Sequence, residues 1–239
     1  MVGPNPQVYT RTQTAEAIDA GLRSYMLRVY NYMSLGIAFT AVISMLVASN
    51  PALLQTVSGL SLLFFFGILG LGWFAPKIMM TKSMGAAQIC FWAYAGLWGV
   101  AIAPMLYAYA QVDPFDIVRA FLITAGTFAG VSLYGYTTKR NLSVFATFFM
   151  MAAIGLIIAM MVNAFLVGSD TVSLLISVAV VLVFSGITAW ETQMIKNMYV
   201  EREAGDMAQR KAIFGAFMLY GSFVTIFVHV LSIIGMARE

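Results

Sequence analysis

Residues 213–236 read IFGAFMLYGSFVTIFVHVLSIIGM. Taken with the residues from Lys211 on, this is an apolar segment long enough to cross a bilayer as a helix, because about 20 residues rising 1.5 Å each span a hydrocarbon core of ~30 Å. Ser222, Thr225, His229 and Ser232 interrupt it at intervals of 3, 4 and 3. That spacing puts them in one stripe on one helix face. A helix turned toward lipid has no use for such a stripe, whereas one inside a bundle can use it for packing, hydrogen bonds or a polar path. The segment is therefore expected to be buried inside a helical bundle. Just upstream, at the end of the preceding apolar segment, Glu191 stands in ITAWETQMIK (187–196).

The rest of the composition agrees. Of 239 residues 61% are hydrophobic and 10% charged, with a mean hydropathy of +0.87. Such a chain is an integral membrane protein, with the lipid bilayer as its first partner. The +3 net charge is scattered over short polar segments, so no nucleic-acid partner is expected. A single cysteine, Cys90, excludes an internal disulfide and a cysteine-rich metal site, and its apolar setting suits packing. The first 28 residues are polar, lack a signal-peptide core, and read as a cytoplasmic tail before a membrane domain over 29–236. The first apolar stretch is too long for a signal peptide, so no cleavage is expected.

Six further apolar segments precede the last, at about 29–48, 53–74, 86–108, 115–134, 144–167 and 171–190. Backbone groups in lipid must be satisfied within the segment, so all seven are read as helices. The second is expected to close at Pro76. The alternation of an outer-membrane barrel strand is absent. The tail (Arg11, Arg23, Arg28), the second connection (Lys77, Lys82), the fourth (Lys139, Arg140) and the sixth (Lys196, Arg202, Arg210, Lys211) hold 11 of the 13 basic residues. The other side has Arg119 and Arg238, with Asp113, Asp116 and Asp170. This alternation places the N-terminus in the cytoplasm and the C-terminus outside.

Inside the spans, Gly126 with Gly130 (a GxxxG) and Gly96 with Gly99 read as sites of close helix packing. Pro104 reads as a bend in the third span, and Asn163 as an interhelical hydrogen-bonding residue. Ala204-Gly205-Asp206 marks a turn between the last two helices. In an antiparallel hairpin centred between Asp206 and Met207, Glu191 and Ser222 sit level, about 22–24 Å from the tip. Thr188 lies one turn before Glu191 and can share its face. Glu191 then has two readings: a glutamate solvated at the cytoplasmic interface, or a proton- or cation-responsive latch between the last two helices. His229 reads as a hydrogen-bonded packing residue with a proton-relay role behind it. One histidine, one cysteine and scattered acids do not build a zinc site. Ser222 and His229, about 10 Å apart along one helix, do not form a protease pair, and no enzymatic activity is expected.

Four stretches carry a family resemblance: GLRSYMLRVYNYMSLGIAFT near the start, YGYTTKRNLSVF before the fifth span, GITAWETQMIK, and LYGSFVTIFVHVLSIIG at the end. Together they resemble the Bax inhibitor-1 (transmembrane Bax inhibitor motif) family, and within it the bacterial YccA-like members. The resemblance implies seven helices, with the last one central and wrapped by the others. It implies, for some members, a pH-dependent calcium leak sensed by an aspartate in each of the last two helices. Carried onto this chain, those positions are Glu191 and Ser222, since LYGSF stands where the family pattern has LYLDF. A lone carboxylate has no partner with which to share a proton, so a weaker pH response is expected than in di-aspartate members. Ser222, Thr188, Thr225 and His229 complete the expected sensor and ion path. Calcium, held transiently at Glu191, would be the transported ion rather than a resident cofactor. YccA-like members share the glutamate-and-serine combination and are associated with modulating a membrane-bound ATP-dependent protease, which is the alternative function. The eukaryotic lysine-rich tail is missing after Ala237-Arg238-Glu239, which implies a bacterial inner-membrane protein.

Overall fold

A computed structural model describes residues 6–200 and 205–238, with side chains from Ala20 onward. Met1–Asn5, at the start of the expected tail, and Arg202 and Ala204 of the last connection lie outside the described residues. The described residues form helices and no strands. In order they are α1 (Pro6–Ala48), α2 (Pro51–Gly59), α3 (Ser61–Thr81), α4 (Met84–Val112), α5 (Pro114–Thr137), α6 (Ala146–Val162), α7 (Asp170–Asn197) and α8 (Asp206–Met236). A 3₁₀ turn (Leu142–Phe145) leads into α6, and a π turn (Asn163–Val167) ends it. Seven of the helices are long and apolar enough to cross a membrane, α1 from Ala20 onward.

Helix starts follow capping chemistry. Asn50, Ser83, Asp113 and Ser169 each accept a hydrogen bond from a backbone N–H of the first turn that follows. Pro51 and Pro114 occupy the first helical position, where a missing N–H costs nothing. Asn163 does turn chemistry between α6 and α7: its Nδ2 donates to Ser173 Oγ at 2.7 Å and Ser169 O at 3.2 Å. Its backbone O accepts from Gly168 N at 2.7 Å, with Gly168 at φ 64°.

Four boundaries differ from the sequence reading. The apolar run 53–74 is split at Leu60, so α2 is a separate short helix and the span begins at Ser61. Pro76 lies inside α3 and does not close it, whereas Pro104 lies inside α4 as the sequence reading has it. Helices in lipid tolerate such prolines because neighbours re-satisfy the freed backbone groups. The first helix runs unbroken across residue 28. The sixth span extends past Trp190 to Asn197, because Glu191, Thr192, Gln193 and Ile195 are buried by other helices and not released to water.

The last helix is the core. Its buried side chains recur on every turn and around most of its circumference, from Ala212 and Ile213 through Phe217, Tyr220, Phe223 and Ile226 to Leu231. Helices α7, α1, α5, α4 and α3 all pack on it. By contrast, α6 has no buried residue and rests on α7. Tyr94 and Phe91 of α4 wedge against α8, with ring centroids 4.5 Å (Tyr94–Phe217) and 6.0 Å (Phe91–Tyr220) apart.

Close approaches use glycine selectively. A Cβ at Gly99 would lie 2.9 Å from the Thr40 carbonyl oxygen, and one at Gly135 would collide with the Ala189 backbone. Gly126 and Gly130, the GxxxG pair, meet nothing within 4 Å of such a Cβ and sit on the exposed face of α5. The packing role expected of them within the bundle is therefore not found, whereas Gly135, one turn beyond, carries the α5–α7 contact.

Candidate functional site

Ser222 Oγ donates to Glu191 Oε2 at 2.7 Å, joining α8 to α7. Glu191 is 4% exposed and Ser222 3%, so the reading of Glu191 as a glutamate solvated at the interface does not hold. Helix α7 ends at Asn197 and α8 starts at Asp206, with Gly205 at φ 79° leading into α8. The two residues that the simple register sets level meet. The bond's length suits a hydroxyl donating to a carboxylate. Tyr94 of α4 lies within electrostatic reach of Glu191.

The rest of the stripe divides. His229 Nδ1 pairs with Ser177 Oγ of α7 at 3.2 Å, toward the far end of the bundle. Thr225 Oγ1 donates to the Gly221 carbonyl of its own helix at 2.8 Å. Thr188 is fully buried, but its hydroxyl donates to Phe184 O at 2.8 Å. A hydroxyl has one proton to give, so Thr188, although one turn from Glu191, does not donate to it. Serine or threonine back-bonding to its own helix is the common fate of such side chains in an apolar span. Of the five residues singled out, Glu191 and Ser222 are joined, His229 is bound to a different serine, and Thr188 and Thr225 are satisfied locally.

A second polar line, not singled out from the sequence, crosses the bundle beside this pair. Tyr30 of α1 bonds Ser132 of α5 at 2.6 Å, Ser132 bonds Thr192 of α7 at 3.0 Å, and Thr192 donates to Thr188 O at 2.8 Å. Thr40 of α1 donates to backbone carbonyls, 3.0 Å from Ala95 O and 2.9 Å from Gly36 O. Tyr220 OH of α8 then donates to Thr40 Oγ1 at 2.6 Å. The signal was present: small hydroxyl residues inside apolar spans, the same type that marked Ser222. Their helical phase relative to one another was not.

Two of the motifs are fastened to each other. Gln193 accepts from Leu142 N at 2.8 Å and donates to Arg140 O at 2.8 Å, clamping the connection before α6. Lys196 donates to Tyr136 O at 2.8 Å and lies 4.8 Å over the Tyr136 ring. Glu191 thus sits on a helix end held by the 134–145 motif. At the opposite end of the bundle, Arg238 reaches Asp113 and Asp116, each at 2.7 Å, and Arg119 adds a 2.8 Å contact to the fully buried Asp116. The Asp113 carboxyl is held below the usual carboxylate range, first by the backbone N–H of Phe115 and then by Arg238. Charge alternation in the sequence assigns these four residues to one side without pairing them.

Among the described residues no group of three or more histidine, cysteine, aspartate or glutamate side chains is gathered. Calcium ordinarily takes six to eight oxygens, and Glu191 with Ser222 supplies far fewer.

These features define a class: an all-α membrane protein of seven spanning helices, five of them packed on the last, with a buried carboxylate–hydroxyl junction between the final two. The chain belongs to the Bax inhibitor-1 family, whose model, described as inhibitor of apoptosis-promoting Bax1, matches residues 22–239. It is 33% identical to the inner membrane protein YbhL of Escherichia coli strain K12 over 236 residues, covering 96% of this chain and 99% of that one. It is 36% identical to the uncharacterized protein RP147 of Rickettsia prowazekii (97% and 99% covered). A protein of Deinococcus radiodurans is 37% identical over 218 residues (91% and 92% covered).

Proposed function

We propose that this protein is a pH-responsive cation leak of the inner membrane, permeable to calcium, with Glu191 as the gating group and Ser222 as its partner. The observation that carries the reading is the 2.7 Å bond between these two side chains, both inside the bundle and on adjacent helices. An ionised carboxylate out of water and without a cationic partner is costly. The cost is relieved by a proton, a passing cation or a change in helix packing, and each couples the α7–α8 junction to conditions outside it. Protonation removes the charge and most of the hold on a cation.

The inner-membrane assignment is supported by the name of YbhL. The basic connections gather at one end of the bundle, where Gln193 holds Arg140 O and Arg210 holds the carbonyls of Met80 and Lys82. The positive-inside rule puts that end in the cytoplasm and Arg238 outside.

Calcium release from proteoliposomes tests the reading. The wild type should empty them faster than protein-free vesicles, and Glu191→Gln should change the rate at fixed pH. Wild-type rates equal to those of empty vesicles would refute the leak and leave a non-catalytic modulator of a membrane protease as the surviving alternative.

A further inference from the structure

Helices α1 and α5 both lie on α8 but scarcely touch each other except through the Tyr30–Ser132 bond. Between them runs a groove of about 620 Å³, floored by Phe223 of α8 and Phe128 and walled by Met26, Ile37 and Ala129. Its lining extends from Arg23 to Ile37 on α1 and from Tyr136 to Phe121 on α5. At ~1.5 Å per residue it is about 21 Å long and parallel to the helices, deeper than one leaflet's ~15 Å share of the hydrocarbon core.

Its lining is apolar over most of this length, and its charge is confined to one end. Arg23 lies at the mouth. Lys139 lies two residues past the end of α5, at the same end of the bundle as Arg23. Both are exposed, and Lys196, held over Tyr136, adds a third positive charge nearby. The volume falls within the ~300–1,000 Å³ of small-ligand sites. It is about a quarter of the ~2,400 Å³ that a spanning helix ~10 Å wide and ~30 Å long fills. A helix would therefore lie across the mouth without filling it.

We propose that this groove binds one anionic phospholipid of the leaflet at the basic end, an acyl chain lying along Met26, Phe128 and Ala129 and the headgroup phosphate at Arg23 and Lys139. Each basic residue near an anionic headgroup contributes a factor of about five in affinity. Bound lipid would also shield the Tyr30–Ser132–Thr192 line that leads from the groove toward the helix carrying Glu191.

Native mass spectrometry of the detergent-purified protein, titrated with phosphatidylglycerol or phosphatidylcholine of identical chains, tests this. Phosphatidylglycerol should be retained about 25-fold more tightly than phosphatidylcholine. Arg23→Gln should weaken it about fivefold, adding Lys139→Gln should bring it to the phosphatidylcholine level, and Ala129→Trp should abolish retention of both. Inorganic phosphate alone should not compete, because the chain and not the headgroup fills the groove. If Ala129→Trp does not fold, the two exposed glutamine variants decide. Equal retention of both lipids, or phosphatidylglycerol binding unmoved by the glutamine pair, overturns the proposal. So does full competition by inorganic phosphate. A protein dimer that Ala129→Trp dissolves, with no lipid retained, would give the face to a second copy of the chain and also overturn it.

Discussion

Glu191 and Ser222 give a coupling energy that can be measured. With both side chains under 5% exposed and 2.7 Å apart, water cannot replace a lost partner. A hydrogen bond to a charged group contributes ~1.5–3 kcal/mol and one to a neutral group ~0.5–1.5. Glutamine at position 191 keeps an acceptor for Ser222 and removes only the charge. A cycle of Glu191→Gln, Ser222→Ala and the double variant therefore isolates the charge-assisted part, about 1 kcal/mol or roughly fivefold in the unfolding constant. Reversible unfolding in bicelles by SDS titration supplies the four stabilities. The charge-assisted part exists only while Glu191 is ionised, so the coupling should be present at high pH and fade as the pH falls through the Glu191 titration. Additivity within ~0.3–0.5 kcal/mol at every pH would refute the claim that an ionised Glu191 is held by Ser222.

Gly135→Ala should cost ~1–3 kcal/mol or more, since its methyl collides with the Ala189 backbone, while Gly126→Ala and Gly130→Ala should stay within ~0.5; the same SDS titration checks all three. Tyr220→Phe leaves Thr40 without its donor across the core and should cost about 1 kcal/mol. Arg238→Ala should destabilise by ~1–2 kcal/mol, below the 3–5 for breaking a fully buried pair, because Arg238 is 36% exposed and Arg119 stays on Asp116. Asp113 is depressed in the folded state, so its contribution is complete above its unfolded value of ~3.9 and is lost as the pH falls through the lower folded value. Unfolding midpoints of wild type and Asp113→Asn should therefore converge toward pH 3 and differ at pH 7.

Hydropathy made the seven spans legible and the polar stripe marked α8 as a buried helix, because span length and the burial of polar groups are fixed by the bilayer itself, while the helix's central place came from the family resemblance. Segment ends were less so. The sequence reading ends the sixth span at Trp190, yet Glu191 is covered by neighbouring helices, which only tertiary structure shows. The GxxxG of α5 followed a pairwise packing rule, but the rule does not say which face meets a partner, and Gly135 carries the contact instead. Glu191 and Ser222 were within reach of a hairpin register. The Tyr30–Ser132–Thr192 line joins three helices whose relative rotation no single-helix periodicity encodes. Arg238 with Asp113 and Asp116 pairs positions more than 120 residues apart, and charge counting gave their side but not their contact.

The pH profile of calcium flux through proteoliposomes, measured between about pH 6 and 8 for wild type, Glu191→Gln and Ser222→Asp, tests the central claim most directly. The wild type should show a moderate pH dependence and Glu191→Gln little or none. Ser222→Asp should show a steeper one, because a second carboxylate at the 2.7 Å junction creates a coupled pair. Three superimposable profiles would contradict the assignment of Glu191 and Ser222 as the gate.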